Sequence, residues 1–290
     1  MRNDNRRLGI ALVLGSALLW STAGIFIRMA GLDIWSVVGW RSLFSAAVLG
    51  GFVLVRNRLE GGGAVRSFGW PGLVATGLAA FGGVAYVAAL TWTTVANVMA
   101  VYATLPFLAA AFAFLLMGER TSLRCIAAGV IAFAGISVMA GAAVGPRDLL
   151  GIVTAFFMTA SFALVLVIAR RYPAIDSTRI TALAAATCAL VALPFMSLTL
   201  PQPHQLLACA LYGVVSTGIS YIMVMIGGRM IGSGEAGFLS LIDVVLGPVW
   251  VWLLFNETIS RSGLAGGFIV LVAVVFYLAP VRRPALAAGG

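Results

Sequence analysis

The stretch FLSLIDVVLGPVWVWLLFNETIS, residues 238–260, decides the fold once it is set beneath AVYATLPFLAAAFAFLLMGERTS, residues 100–122. At an offset of 138 residues, Leu108, Leu115, Leu116, Glu119 and Ser122 meet Leu246, Leu253, Leu254, Glu257 and Ser260. Phe112 and Phe114 meet Trp250 and Trp252. The register runs on, so that Cys125 and Gly129 meet Gly263 and Gly267. Small residues four apart let apolar helices approach closely in lipid, which predicts a close contact between the helices that carry these pairs. A second alignment, at an offset of 142, sets GIALVLGSALLWSTAGIFIR (9–28) above GIVTAFFMTASFALVLVIAR (151–170). The chain therefore reads as two units, residues 1–142 and 143–290, forming one domain.

The solvent for this domain is lipid. Of 290 residues, 62% are hydrophobic and 9% charged, and mean hydropathy is +1.08. A soluble chain averages about 25% charged residues. A helix needs about 20 apolar residues to cross the bilayer. Ten such runs cover roughly 8–29, 34–55, 70–91, 96–117, 123–142, 149–169, 180–199, 206–226, 236–255 and 262–281. Alternating strand patterns are absent, which argues against a barrel. The fold class expected is an all-α integral membrane protein, ten transmembrane helices in two five-helix repeats. Five is odd, so the second unit enters from the opposite face and the repeats are inverted, an arrangement found in transporters with midplane sites.

The first run follows Arg6 and Arg7, but it has no clear small-x-small cleavage site and is read as a retained helix. All 18 basic residues are arginine. With the N-terminus inside, 14 of them fall on the inner side and four, Arg28, Arg41, Arg147 and Arg261, on the outer half. Positive loops stay in the cytoplasm, so both termini are expected there, in an inner (cytoplasmic) membrane. The net charge of +9 is absorbed by this topology, and no nucleic-acid partner is expected.

Enzymatic signatures are missing. There is no HExxH, GxSxG or Walker motif, and the single histidine, His204, lies in a polar loop. Cys125, Cys188 and Cys209 make an odd, unpaired set that argues against a disulfide or zinc framework. No cofactor, metal or catalytic residue is expected. A lipid-acting membrane enzyme and a receptor are the rival classes. The first lacks a nucleophile or acid–base pair, and the second lacks a sizeable soluble domain.

The residues LLWSTAGIFIR in span 1, WRSLFSA in span 2 and TVANVMAVYATLPFLAAAFAFLLMGERTS in span 4 resemble the EamA type of the drug/metabolite transporter superfamily. The resemblance covers nearly the whole chain. The family's second half usually places an acidic residue and then a proline in span 9; this chain has Asp243-Val244, with Pro248 further on. Among branches it looks most like the YddG type, exporters of aromatic and other amino acids. The resemblance implies a secondary transporter exporting amino acids by alternating access, with other small metabolites, nucleobases or hydrophobic cations as alternatives. Amino acids, the bilayer and protons are the partners expected, and the chain is expected to act as a monomer.

Charges inside the membrane are costly and mark sites. Asp243, in span 9, stands opposite Leu105 in the repeat and reads as a substrate contact, a proton carrier or a structural hydrogen bond. Arg41, seven residues into span 2, could hold a substrate carboxylate or pair with a carboxylate or helix C-terminus. Arg28 reads as a snorkelling residue near the outer surface. Glu119 and Glu257, at matching places, suggest shared packing or capping. Trp20 and Phe162 are equivalent at the 142 offset, and deep tyrosines need hydroxyl partners. Asn97 could cap span 4 or rim a cavity. Gly82, Gly83, Gly213 and Gly218 read as close-packing points. The expected substrate-binding set is Trp20, Tyr86, Asn97, Tyr102, Phe162, Tyr221, Ser240 and Asp243, in a central cavity from spans 1, 3, 4, 6, 8 and 9.

Overall fold

In a computed structural model, the chain is all-helical over the described residues, which are 2–59, 68–119, 122–141, 145–231, 236, 239–240, 242–258 and 260–278. Seven helices are long and apolar enough to cross a membrane: Asn5–Ala30, Ile34–Leu59, Gly69–Trp92, Val95–Met117, Pro146–Arg171, Ser177–Phe195 and Pro203–Gly227. Three shorter apolar helices, Leu123–Val138, Ile242–Phe255 and Arg261–Tyr277, stand where spans 5, 9 and 10 are predicted. Large apolar side chains such as Leu54, Phe81, Phe133, Leu190, Phe268 and Val275 face outward. A water-facing surface so apolar would aggregate, whereas lipid accepts it. The expected junction between the two units, and the C-terminal segment from 279 onward, lie outside the described residues.

The packing obeys the repeat. Replacing each span n by span n+5 maps the principal contacts onto one another. Span 3 packs on span 6, and span 8 on span 1; span 4 packs on span 6, and span 9 on span 1. Spans 2 and 7 form a self-matching pair, as do spans 5 and 10. Each half thus packs chiefly on the other. Buried alanines, including Ala17, Ala89, Ala155 and Ala192, bring the backbones close.

Three spans break their helices, each for a local reason. Span 1 turns at Thr22, where Ser21 and Thr22 hydroxyls donate to the carbonyls of Leu18 and Leu19 at 2.7 and 2.5 Å. Such back-bonding bends helices. Span 4 breaks at Ala103–Thr104, just before Pro106, whose nitrogen has no hydrogen to bond the preceding turn. Span 8 widens into a π-helix over Tyr212–Ile219. There Gly213 lets the backbone of span 8 press against that of span 2; a Cβ would collide with the Arg41 carbonyl oxygen.

The contact predicted for spans 5 and 10 is corrected in its position. Gly129 faces Phe107 and Gly267 faces Ala100, both on span 4 and at ordinary distances of 3.5 and 3.6 Å. The tight point lies elsewhere, at Gly135, where a Cβ would stand 2.7 Å from the Gly266 carbonyl oxygen and 2.9 Å from Val270.

Candidate functional site

Asp243, 8% exposed, is buried beside the break in span 4, and its Oδ1 has no hydrogen-bond partner. Tyr86 of span 3 and Tyr102 of span 4 both lie within electrostatic reach of this carboxyl group. The Tyr102 ring meets Phe162 of span 6 edge-on, with centroids 6.5 Å apart. Gly82 makes room for that ring, since a Cβ there would stand 2.8 Å from Phe162. Four of the predicted residues, Tyr86, Tyr102, Phe162 and Asp243, therefore form one wall in the middle of the bundle, contributed by both halves.

The same wall extends to span 2. Arg41 donates from one guanidinium nitrogen to the Gly83 carbonyl at 2.7 Å and lies over the Tyr212 ring, 5.2 Å from its centroid. Arg41 and Asp243 both act electrostatically on Tyr86. Gly83 has no side chain to occupy the place of the guanidinium. Tyr212 and Ser216, on the π-helical turn, were missed in the sequence reading, where hydroxyls in an apolar run look like packing.

The remaining predicted residues lie apart. Trp20 is half-buried just before the span 1 break. The Ser240 hydroxyl donates to the Ala236 carbonyl, four residues earlier, at 2.9 Å. The Tyr221 hydroxyl donates to the Ser177 carbonyl at 3.2 Å, tying span 8 to the start of span 7. Asn97 belongs to the outer end. It does not cap its helix: Thr94 does, accepting from the Asn97 N–H at 3.2 Å, while the Asn97 amide donates to Thr93 Oγ1 at 2.9 Å. Asn97 thereby rims an outer cavity of about 380 Å³ that also includes Arg28, Asp148 and Glu257.

Around that cavity, Arg28 does not snorkel toward solvent. Its Nε and a terminal nitrogen donate to Glu257 Oε2 at 3.0 and 2.9 Å, and its other terminal nitrogen donates to the Leu90 carbonyl at 2.6 Å. Glu257 Oε1 accepts from the Val95 N–H at 2.8 Å. Spans 1, 3, 4 and 9 are joined at one point. The mirror-related pair occupies the other end: Arg170, equivalent to Arg28, donates to both oxygens of Glu119, equivalent to Glu257, at 3.2 Å. The repeat places each glutamate by the same device. The helices before Gly118 and Asn256 end in left-handed caps with φ of 68° and 50°, and Glu119 and Glu257 close them by donating to Ala113 and Val251. The alignment contained this signal, because both members of each pair recur. It was missed because the two alignments carry different offsets.

No group of three or more histidine, cysteine, aspartate or glutamate side chains that could hold a metal occurs among the described residues. The profile of the EamA-like transporter family matches residues 7–141 and again 149–279. A protein of Archaeoglobus fulgidus, described as an uncharacterized transporter, is 27% identical over 278 residues, covering 93% of this chain and 96% of its own length. A protein of known crystal structure, 21% identical, aligns with a TM-score of 0.65 over 96% of this chain and 98% of that one, a likeness of fold.

Proposed function

From the premise that this chain belongs to the EamA-like transporter family, we propose that it exports neutral amino acids, aromatic ones included, from the cytoplasm across the inner membrane by alternating access. The observation that carries this reading is the unpartnered Asp243 carboxyl oxygen beside an aromatic wall of Tyr86, Tyr102 and Phe162. A carboxyl group at that depth is costly unless it meets a cation, a proton or water. An ammonium group satisfies it, while tyrosine and phenylalanine faces accept an apolar or aromatic side chain. Trp20, Asn97, Tyr221 and Ser240 remain part of the proposed path. The ion pairs at the two ends support alternation, since inverted repeats that exchange conformations need equivalent closures on both faces. Protons are the proposed coupling ion, with Asp243 as carrier, and the transporting unit is the monomer.

The test is purified protein in liposomes, given labelled amino acids, nucleobases and cationic dyes, with Asp243→Asn as comparison. The expected outcome is amino-acid transport at the wild-type site and about tenfold or greater loss in the variant, because a charge-assisted hydrogen bond of about 1.5–3 kcal/mol is removed. The wild-type rate should depend on pH and the residual rate of the variant should not. A variant matching the wild type in rate and pH profile would reduce Asp243 to a structural group. Transport of dyes without amino acids would replace the substrate class.

A further inference from the structure

Arg41 is a buried cation without a carboxylate counter-ion within salt-bridge distance among the described residues. It is 7% exposed, and its Nε has no partner. The groups that act on it electrostatically or lie against it are Tyr86, Tyr212, Cys188 and Cys209, none of which carries a formal charge. Two further polar atoms on the neighbouring π-helical turn are also unmatched. Tyr212 and Ser216 are each 2% exposed, and both hydroxyls lack partners. Buried polar groups are nearly always paired, and each exception asks for an explanation. Here three exceptions fall on two helices packed in direct contact, one of them bearing a full positive charge.

We infer that Arg41, with the hydroxyls of Tyr212 and Ser216, is the receptor for the substrate's carboxylate. The inference rests on the proposed amino-acid export and fixes its substrate class as the α-amino acid zwitterion. The guanidinium fork matches a carboxylate, and two hydroxyl donors can supply further hydrogen bonds. Asp243, like Arg41, lies within electrostatic reach of Tyr86. An anion alone would gain at Arg41 and be repelled by Asp243. A cation alone would meet the reverse. A zwitterion meets both charges with the matching sign, and its side chain is left for the aromatic wall. The π-helix has a use in this arrangement, since widened turns recur at functional sites. Gly213 brings this turn against the backbone of Arg41.

The experiment is competition in liposomes that hold the full chain. Labelled L-phenylalanine is competed with unlabelled L-phenylalanine, L-phenylalaninamide and phenethylamine; if another amino acid is the better substrate, it is used with its own amide and amine. In the wild type the free amino acid should compete about tenfold to a hundredfold better than the amide or amine, the range of a charge-assisted hydrogen bond. In Arg41→Gln the apparent KM for the amino acid should rise by that factor, with competition by the amide and amine unchanged. Arg41→Lys should recover part of the discrimination, having the charge without the fork. An amide that competes as well as the amino acid in the wild type overturns the inference, and this needs no variant to fold. So does an Arg41→Gln protein that keeps the discrimination. In either case, amino-acid transport by the wild type leaves the export reading standing. Failure of the wild type to move any amino acid overturns both.

Discussion

Asn256 holds a backbone conformation, φ 50°, that only glycine enters freely, and it does so where the other repeat has Gly118. Asparagine tolerates this region and a β-branched residue does not. Asn256→Val should therefore lower stability by about 1–2 kcal/mol, while Asn256→Gly should be neutral or slightly stabilising. Thermal unfolding in detergent checks both, and equal melting of the two variants would show that the cap is not strained. The same distinction explains which residues were legible. Asp243 and Arg41 stood out because a charge in an apolar run is expensive wherever it points. Ser216 did not, because a serine or threonine hydroxyl in a helix can bond its own backbone, as those of Ser240 and Thr159 do, and Tyr212 did not, because an aromatic ring in an apolar run also reads as packing. For Asn97 the two readings stayed open because Thr94 and Asn97 are both good caps, and only the backbone shows which one stands at the helix start.

Each of the ten predicted spans overlaps a helix among the described residues, seven of them long and apolar enough to cross a membrane, because length and hydropathy are sufficient evidence where the solvent is hydrocarbon. Their breaks were harder to read. Pro106 explains the turn in span 4, whereas the π-helix of span 8 has no sequence signature beyond Gly213 and Gly218. Contact points between helices also escaped, since several small-residue pairs compete and the choice depends on rotation about the helix axis. Gly135 is the informative case. A leucine there must displace the Gly266 backbone and Val270, so Gly135→Leu should cost about 1–3 kcal/mol and lower folded yield. Gly267→Leu, which meets Ala100 at an ordinary distance, should be milder. Yield and monodispersity on size exclusion rank the two, and a reversed order would show that span 10 is rotated from its described position.

The two ends of the molecule are related by the repeat but are not equal. The Arg28 and Glu257 side chains are 25% and 15% exposed, and they bind further backbone groups of spans 3 and 4. Those of Arg170 and Glu119 are 62% and 41% exposed. An exposed ion pair contributes about 0–1 kcal/mol, and a sheltered, multiply bonded pair contributes more. The structure is therefore latched firmly on the face that carries Arg28 and lightly on the face that carries Arg170. In the proposed cycle these strengths must exchange, because equivalent sequences can adopt each other's conformation with little change in energy. Neither latch can then be permanent. Paired cysteines at positions 28 and 257, or at 119 and 170, can be joined by a short bifunctional thiosulfonate that spans the gap left by two long side chains. The native Cys125, Cys188 and Cys209 are buried and compete poorly for the reagent. Either cross-link alone should stop amino-acid transport in liposomes, and reductant should restore it, with the single-cysteine proteins unaffected. Undiminished transport through a protein fully cross-linked at the Arg28–Glu257 end would show that this face does not open, and alternation between the two repeats would have to be abandoned.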